Sequence, residues 1–191
     1  MKYVGIVLAG GAGRRIGGEK ALVELDGRPL LRYPVEAMAA VLDEVAVICK
    51  EHTPLPDLAG LAEIWCEGER ELHPLIGVTA ALRRTVERGL GVLVCAGDMP
   101  LVTPDVLQAL LDAPAGPVVV ARAGGRLQPL LARYGPDVLP AFEQRAPDEP
   151  ATRVVEALGP LIVDVPDRAV FNVNVPEDIL LAERERVGGD A

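Results

Sequence analysis

The stretch from Tyr3 to Ala9 is a nearly unbroken apolar run that passes straight into a glycine-rich segment, Gly10 to Glu19. A strand with one wet face alternates apolar and polar residues. An unbroken run instead reads as a strand buried on both faces, the arrangement of a parallel sheet with helices on each side. Parallel neighbours cannot be joined by tight hairpins, so such a chain must place helices between its strands.

The remaining sequence supplies them. Ala21 to Leu25 reads as a short extended piece ending in a turn at Asp26-Gly27, and Pro29 to Leu42 as a helix. Glu44 to Cys49 and Ala62 to Cys66 read as strands, and Pro74 opens a helix that runs to Gly89. Gly91 to Ala96 is a further strand, followed by Gly97-Asp98-Met99-Pro100 and a short helix whose start is marked by Thr103-Pro104. Val118 to Ala121 and Leu127 to Tyr134 bracket Gly124-Gly125 as a strand pair. Helices over Pro136 to Arg145 and Ala151 to Leu158, a strand over Leu161 to Val165 and a last helix over Pro176 to Arg186 complete the pattern. The expectation is one α/β domain spanning 1–191, a doubly wound and mainly parallel Rossmann-like sheet with helices on both faces. Ligands of such sheets bind beyond the carboxyl ends of the strands, which singles out the positions after Ala9, after Ala96 and after Phe171.

Composition narrows the function. A formal charge of -9 argues against a nucleic-acid or anionic-membrane partner, because a surface that tracks phosphates is basic. There is no serine, so nucleophilic serine chemistry is excluded. Cys49, Cys66 and Cys95 each sit in or at the end of an apolar run, where a thiol packs as a small hydrophobe, and none belongs to a C-x-x-C zinc pattern. The amino-terminal run is better read as a core strand than as a signal peptide. No run approaches the roughly 20 apolar residues of a spanning helix. A cytoplasmic, reducing setting is expected.

The first place reads Leu8-Ala9-Gly10-Gly11-Ala12-Gly13-Arg14-Arg15-Ile16-Gly17-Gly18-Glu19-Lys20. Backbone N–H groups free of Cβ bulk can form an anion nest, and Arg14, Arg15 and Lys20 can clamp phosphate oxygens. It is no Walker A loop, since Ala21 follows Lys20, and no full dinucleotide fingerprint, since Ile16 occupies the third glycine position. The second place is Asp98, a carboxylate at a strand end. Mg²⁺ takes one or two carboxylates together with substrate phosphates, so Asp98 suits it; a turn or capping aspartate is the plainer reading. The third place is Phe171-Asn172-Val173-Asn174-Val175-Pro176-Glu177-Asp178, which holds both asparagines of the chain. Asn174 could cap the last helix, but amide oxygens also suit a hard cation or its water.

Together the three places resemble the MobA-like, molybdenum cofactor guanylyltransferase family of nucleotidyltransferases. The likeness rests on Leu8 to Lys20, Gly27-Arg28-Pro29-Leu30-Leu31, Pro74-Leu75-x-Gly77, Gly97-Asp98-Met99-Pro100, Gln128-Pro129-Leu130 and Asn172-Val173-Asn174-x-Pro176-Glu177, in order along nearly the whole chain. The resemblance implies transfer of GMP from GTP to molybdopterin, giving molybdopterin guanine dinucleotide and pyrophosphate, with Mg²⁺ as cofactor. It places Leu8, Ala9, Gly10, Gly11 and Glu67 at the nucleotide, Arg15 and Lys20 at the triphosphate, Asp98 at the nucleotide and the metal, and Asn172 and Asn174 at the catalytic centre or the pterin side. It also implies transient contacts with molybdenum-cofactor proteins. The chain departs from the family pattern at Glu19 and Glu67, where aspartate is usual, at Cys49, where asparagine is common, and at His73, where glycine is more usual. Cytidylyl or sugar-phosphate nucleotidyl transfer is the alternative within the same chemistry; a non-catalytic nucleotide-binding module is the alternative outside it.

Overall fold

In a computed structural model of the chain, residues 1–10, 20–68 and 73–188 are described. A seven-stranded sheet runs in the order β5-β4-β1-β6-β8-β7-β9. Its strands are β1 (Tyr3–Ala9), β4 (Val45–Lys50), β5 (Glu63–Glu67), β6 (Gly91–Ala96), β7 (Val118–Ala123), β8 (Arg126–Tyr134) and β9 (Leu161–Asp164). A separate two-stranded hairpin joins β2 (Glu24–Leu25) to β3 (Arg28–Pro29). The helices are α1 (Arg32–Ala39), α2 (Leu75–Thr85), α3 (Pro104–Asp112), α4 (Leu139–Gln144), α5 (Ala151–Ala157) and α6 (Pro176–Gly188).

β1 pairs in parallel with β4 and β6, β4 with β5, and β7 with β9; only β8 runs against its neighbours β6 and β7. The alternation of side chains across the sheet feeds two cores. One face buries Val7, Val47, Leu93 and Val119 against Met38 of α1 and Leu107 of α3. The other buries Ile6, Ile48, Val94 and Val120 against Leu82 of α2, Phe142 of α4 and Val155 of α5. The doubly wound, mainly parallel α/β sheet expected from the sequence is present.

Several bounds differ from the sequence reading. The helix expected from Pro29 begins only at Arg32, because Arg28 and Pro29 form β3 opposite Leu25 and Glu24. The turn between them uses Asp26 at φ 51° and Gly27 at φ 70°, the left-handed pair that a two-residue hairpin requires. The helix after Pro74 tightens into a 3-10 turn over Val86–Arg88 and is closed by Gly89 at φ 64°. The stretch before Asn172 is a 3-10 turn, Asp167–Val170, so the third place follows a tight turn rather than a strand end.

A third, smaller core consists of Leu25, Leu30, Tyr33, Leu101, Val173 and Ala182. These residues come from the hairpin, the start of α1, the loop after Asp98, the gap between the two asparagines, and α6. Burial of this cluster therefore fixes three sequence-distant segments against one another at the carboxyl end of the sheet.

Candidate active site

Backbone hydrogen bonds bring the three places together before any side chain is considered. Gly97 N donates to Leu8 O at 3.0 Å, joining the end of β1 to the segment that follows β6, and Val173 N donates to Asp98 O at 3.0 Å. Gly97 has to be glycine for this. A Cβ there would lie 2.9 Å from Leu8 O and 2.8 Å from Leu31 Cδ1, and the carbonyl belongs to a central strand that cannot yield. Gly97→Ala is expected to cost about 1–3 kcal/mol by overpacking and to lower Tm by roughly 2–10 °C, read by calorimetry.

On this frame Lys20 Nζ donates to Asp98 Oδ2 at 2.6 Å and to Asn174 Oδ1 at 2.8 Å. Residues from positions 20, 98 and 174 thus meet at one ammonium group. The other carboxylate oxygen, Asp98 Oδ1, is buried with no hydrogen-bond partner among the described residues. A buried acceptor left unmatched costs about 1–3 kcal/mol, so its retention points to a cation or donor that arrives with a ligand.

Asn174 does not cap α6. That role falls to Asp178, whose Oδ2 accepts from Asn174 N at 2.7 Å and Val175 N at 3.0 Å, and the negative charge also suits the first turn of the helix. The Asn174 amide oxygen is left to Lys20, and its Nδ2 donates to Asn172 O at 3.4 Å. Asn172 is placed differently: its Nδ2 donates to Val170 O at 2.9 Å and closes the preceding 3-10 turn, a contact that shapes the loop rather than reaching Lys20 or Asp98. Leu8, Ala9 and Gly10 stand at the end of β1, as expected. Gly11, Arg14 and Arg15 lie outside the described residues.

Glu67 ends β5, in register with Lys50 at the end of β4. Its Oε2 is buried and has no hydrogen-bond partner among the described residues. Burial raises the carboxyl above the ordinary glutamate range, while the Lys50 ammonium pulls it partly back. A raised folded-state value means that the folded chain holds this proton more tightly than the unfolded chain. The stability it contributes is therefore present below the ordinary glutamate range and is lost as pH rises through the folded value. Glu67→Gln is expected to gain stability relative to wild type across that window, by roughly 1–3 °C in Tm, in paired melts between about pH 4 and 8. Lys50 and Asp178 were not singled out from the sequence. Strand register would have exposed the first, and an aspartate four residues beyond Asn174 is a capping signal for the second.

The chemistry on offer is charge neutralisation and positioning. No group of three or more His, Cys, Asp and Glu side chains gathers among the described residues. A divalent ion here would lean on Asp98 and on substrate oxygens, the donor set typical of Mg²⁺, and the orphaned Oδ1 fits that use. A cleft of about 540 Å³ at the opposite rim, where Arg88 pairs with Glu44, shares none of these residues.

Residues 5–161 match the MobA-like NTP transferase domain. The chain is 35% identical to a molybdenum cofactor guanylyltransferase of Cereibacter sphaeroides over 96% of both chains. It is 31% identical to a probable molybdenum cofactor guanylyltransferase of Thermococcus kodakarensis over 92% of both. Among solved structures, molybdopterin-guanine dinucleotide biosynthesis protein A of Archaeoglobus fulgidus superposes with a TM-score of 0.74 at 27% identity, covering 98% of this chain and all of that one. Rv0371c of Mycobacterium tuberculosis shares the fold, with a TM-score of 0.78 at 18% identity over 96% and 98% of the two chains. With a sheet of this topology, and with Lys20, Asp98 and Asn174 converging at its carboxyl rim, the chain belongs to the MobA-like NTP transferase family and is a nucleotidyltransferase.

Proposed function

We propose that the chain, as a single nucleotidyltransferase domain, transfers GMP from GTP to molybdopterin with Mg²⁺, yielding molybdopterin guanine dinucleotide and pyrophosphate. The observation that carries this reading is the Lys20 ammonium held between Asp98 Oδ2 and Asn174 Oδ1, beside an Asp98 Oδ1 that has no partner among the described residues. The names of the Cereibacter and Thermococcus relatives support the acceptor and the base.

The nucleophile is a terminal phosphate oxygen of the acceptor. It is already ionised near neutral pH, so no general base is needed, and catalysis reduces to alignment and charge stabilisation. The acceptor oxygen attacks the α-phosphorus in line, the α–β bridging bond breaks, and the electron pair leaves with pyrophosphate. Lys20 is poised to exchange its two protein acceptors for phosphate oxygens and to neutralise charge on the leaving group. Release of Lys20 leaves Asn174 Oδ1 free to accept from a donor on the acceptor side, while its Nδ2 stays within reach of Asn172 O. Asp98 would hold Mg²⁺, which when bound supplies Lewis-acid neutralisation of the phosphates. The unpartnered Glu67 oxygen suits the paired N–H donors on guanine's Watson–Crick edge.

Pyrophosphate release measured with each of the four triphosphates, Mg²⁺ and molybdopterin tests the reading. Turnover with GTP and little with the others is expected. Turnover with CTP alone would move the chain to cytidylyl transfer. GTP binding without pyrophosphate release on acceptor-loaded protein would make it a binding module.

A further inference from the structure

We propose that Cys49 and Cys66 form a redox-modification site, at which a peroxide-class oxidant closes an intramolecular disulfide that fastens the edge strand β5 to β4 beside Glu67. This inference is independent of the transferred nucleotide and of the acceptor.

On sequence, all three cysteines read as core residues. The structure separates them: Cys49 and Cys95 are buried and Cys66 is exposed, all three as free thiols. Cys49 and Cys66 are Cα partners in the parallel β4–β5 ladder, so both side chains leave the same face of the sheet. Neighbouring strands run about 4.7–4.9 Å apart, inside the roughly 4.4–6.8 Å Cα separation that a disulfide spans. The pair sits at the carboxyl ends of its strands, where the backbone can adjust most easily. Its frame is nonetheless anchored: Arg84 donates to Cys66 O at 3.2 Å and lies over the Trp65 ring, tying β5 to α2. On its other side Cys49 is in register with Ala9 of β1.

The two thiols are unequal. Burial, together with the adjacent Cys66 sulfur, pushes the Cys49 thiol up to about 11. Cys49 is thus slow to ionise and shielded from solvent, and Cys66 meets the oxidant first. The Cys66 thiolate attacks one peroxide oxygen, the O–O bond breaks, and Cys66 becomes a sulfenic acid with release of one water. The Cys49 sulfur then attacks that sulfur, the S–O bond breaks, and a second water leaves carrying the Cys49 proton. Two thiols and one hydrogen peroxide thereby give one disulfide and two waters. Cys95 is fully buried in β6 with burial raising its thiol, and serves as an internal control.

The test treats the full chain with hydrogen peroxide under native conditions, then unfolds it, alkylates it before or after dithiothreitol, and maps the peptides. Cys95 should alkylate throughout, while Cys49 and Cys66 should be protected until reduction, on a chain of monomeric mass. The oxidised protein should melt several degrees higher than the reduced one, because the bond closes a loop of the unfolded chain. In Cys66→Ser, Cys49 should stay alkylatable after peroxide. The proposal is overturned if Cys49 of oxidised wild type alkylates without reduction while Cys66 carries a sulfinic acid or a bond to a second chain. The wild-type map decides this even if the variant folds poorly.

Discussion

Asp98→Ala should release pyrophosphate at least about a thousandfold more slowly than wild type, the upper range for loss of one preorganised electrostatic group. It should nonetheless remain folded, because the residue is tied to structure mainly through its backbone. Asp98 O receives Val173 N, and Gly97 N reaches Leu8 O; neither bond needs the side chain. Among the described residues the carboxylate contributes one partly exposed ion pair, of a kind typically worth under about 1 kcal/mol, together with a buried oxygen that has no partner. Tm should therefore change by no more than a few degrees, in either direction. A folded variant with near-normal turnover would remove Asp98 from the chemistry.

Lys20→Ala should raise the barrier by about 2–4 kcal/mol, a loss of roughly 30- to 1000-fold in kcat. The same change leaves both Asp98 Oδ2 and Asn174 Oδ1 without the donor they share. Lys20→Arg should rescue little. The ammonium is a compact charge held between two acceptors, whereas guanidinium is a planar fork with fixed donor directions. Steady-state kinetics on both variants read this directly, and recovery of most activity by arginine would show that bulk positive charge suffices.

Most of the framework was legible because the central parallel strands β1, β4 and β6 are nearly unbroken apolar runs. Gly91 to Ala96 is the clearest case: all six residues are buried, and its sequence and structural bounds coincide. The start of α1 was not legible. Leu30, Leu31, Pro34, Met38 and Val41 have helical spacing directly after Pro29, but the left-handed turn at Asp26-Gly27 commits Arg28 and Pro29 to a hairpin first. Lys20, Asp98 and Asn174 could be picked out by residue type and by their places after the glycine-rich turn, at a strand end and before the last helix. Their meeting could not, because it depends on the small core of Leu25, Leu101, Val173 and their neighbours. Nor could the different duties of the two asparagines, since only geometry shows that Asn172 turns back to Val170 O while Asn174 turns to Lys20. The exposure of Cys66 was hidden for a related reason: β5 is an edge strand, and an apolar run of that length does not reveal which face of an edge is covered.

The proposed chemistry needs one cation-centred pocket formed by three distant segments, and manganese can report its position. A crystal grown with a non-hydrolysable GTP analogue and Mn²⁺ would give the metal position from anomalous scattering. The expected result is the ion on Asp98 Oδ1 and on analogue phosphate oxygens, with Lys20 Nζ moved from Asp98 onto the phosphates. An ion bound elsewhere, with the Lys20–Asp98 pair intact and the analogue remote from Asn174, would contradict it.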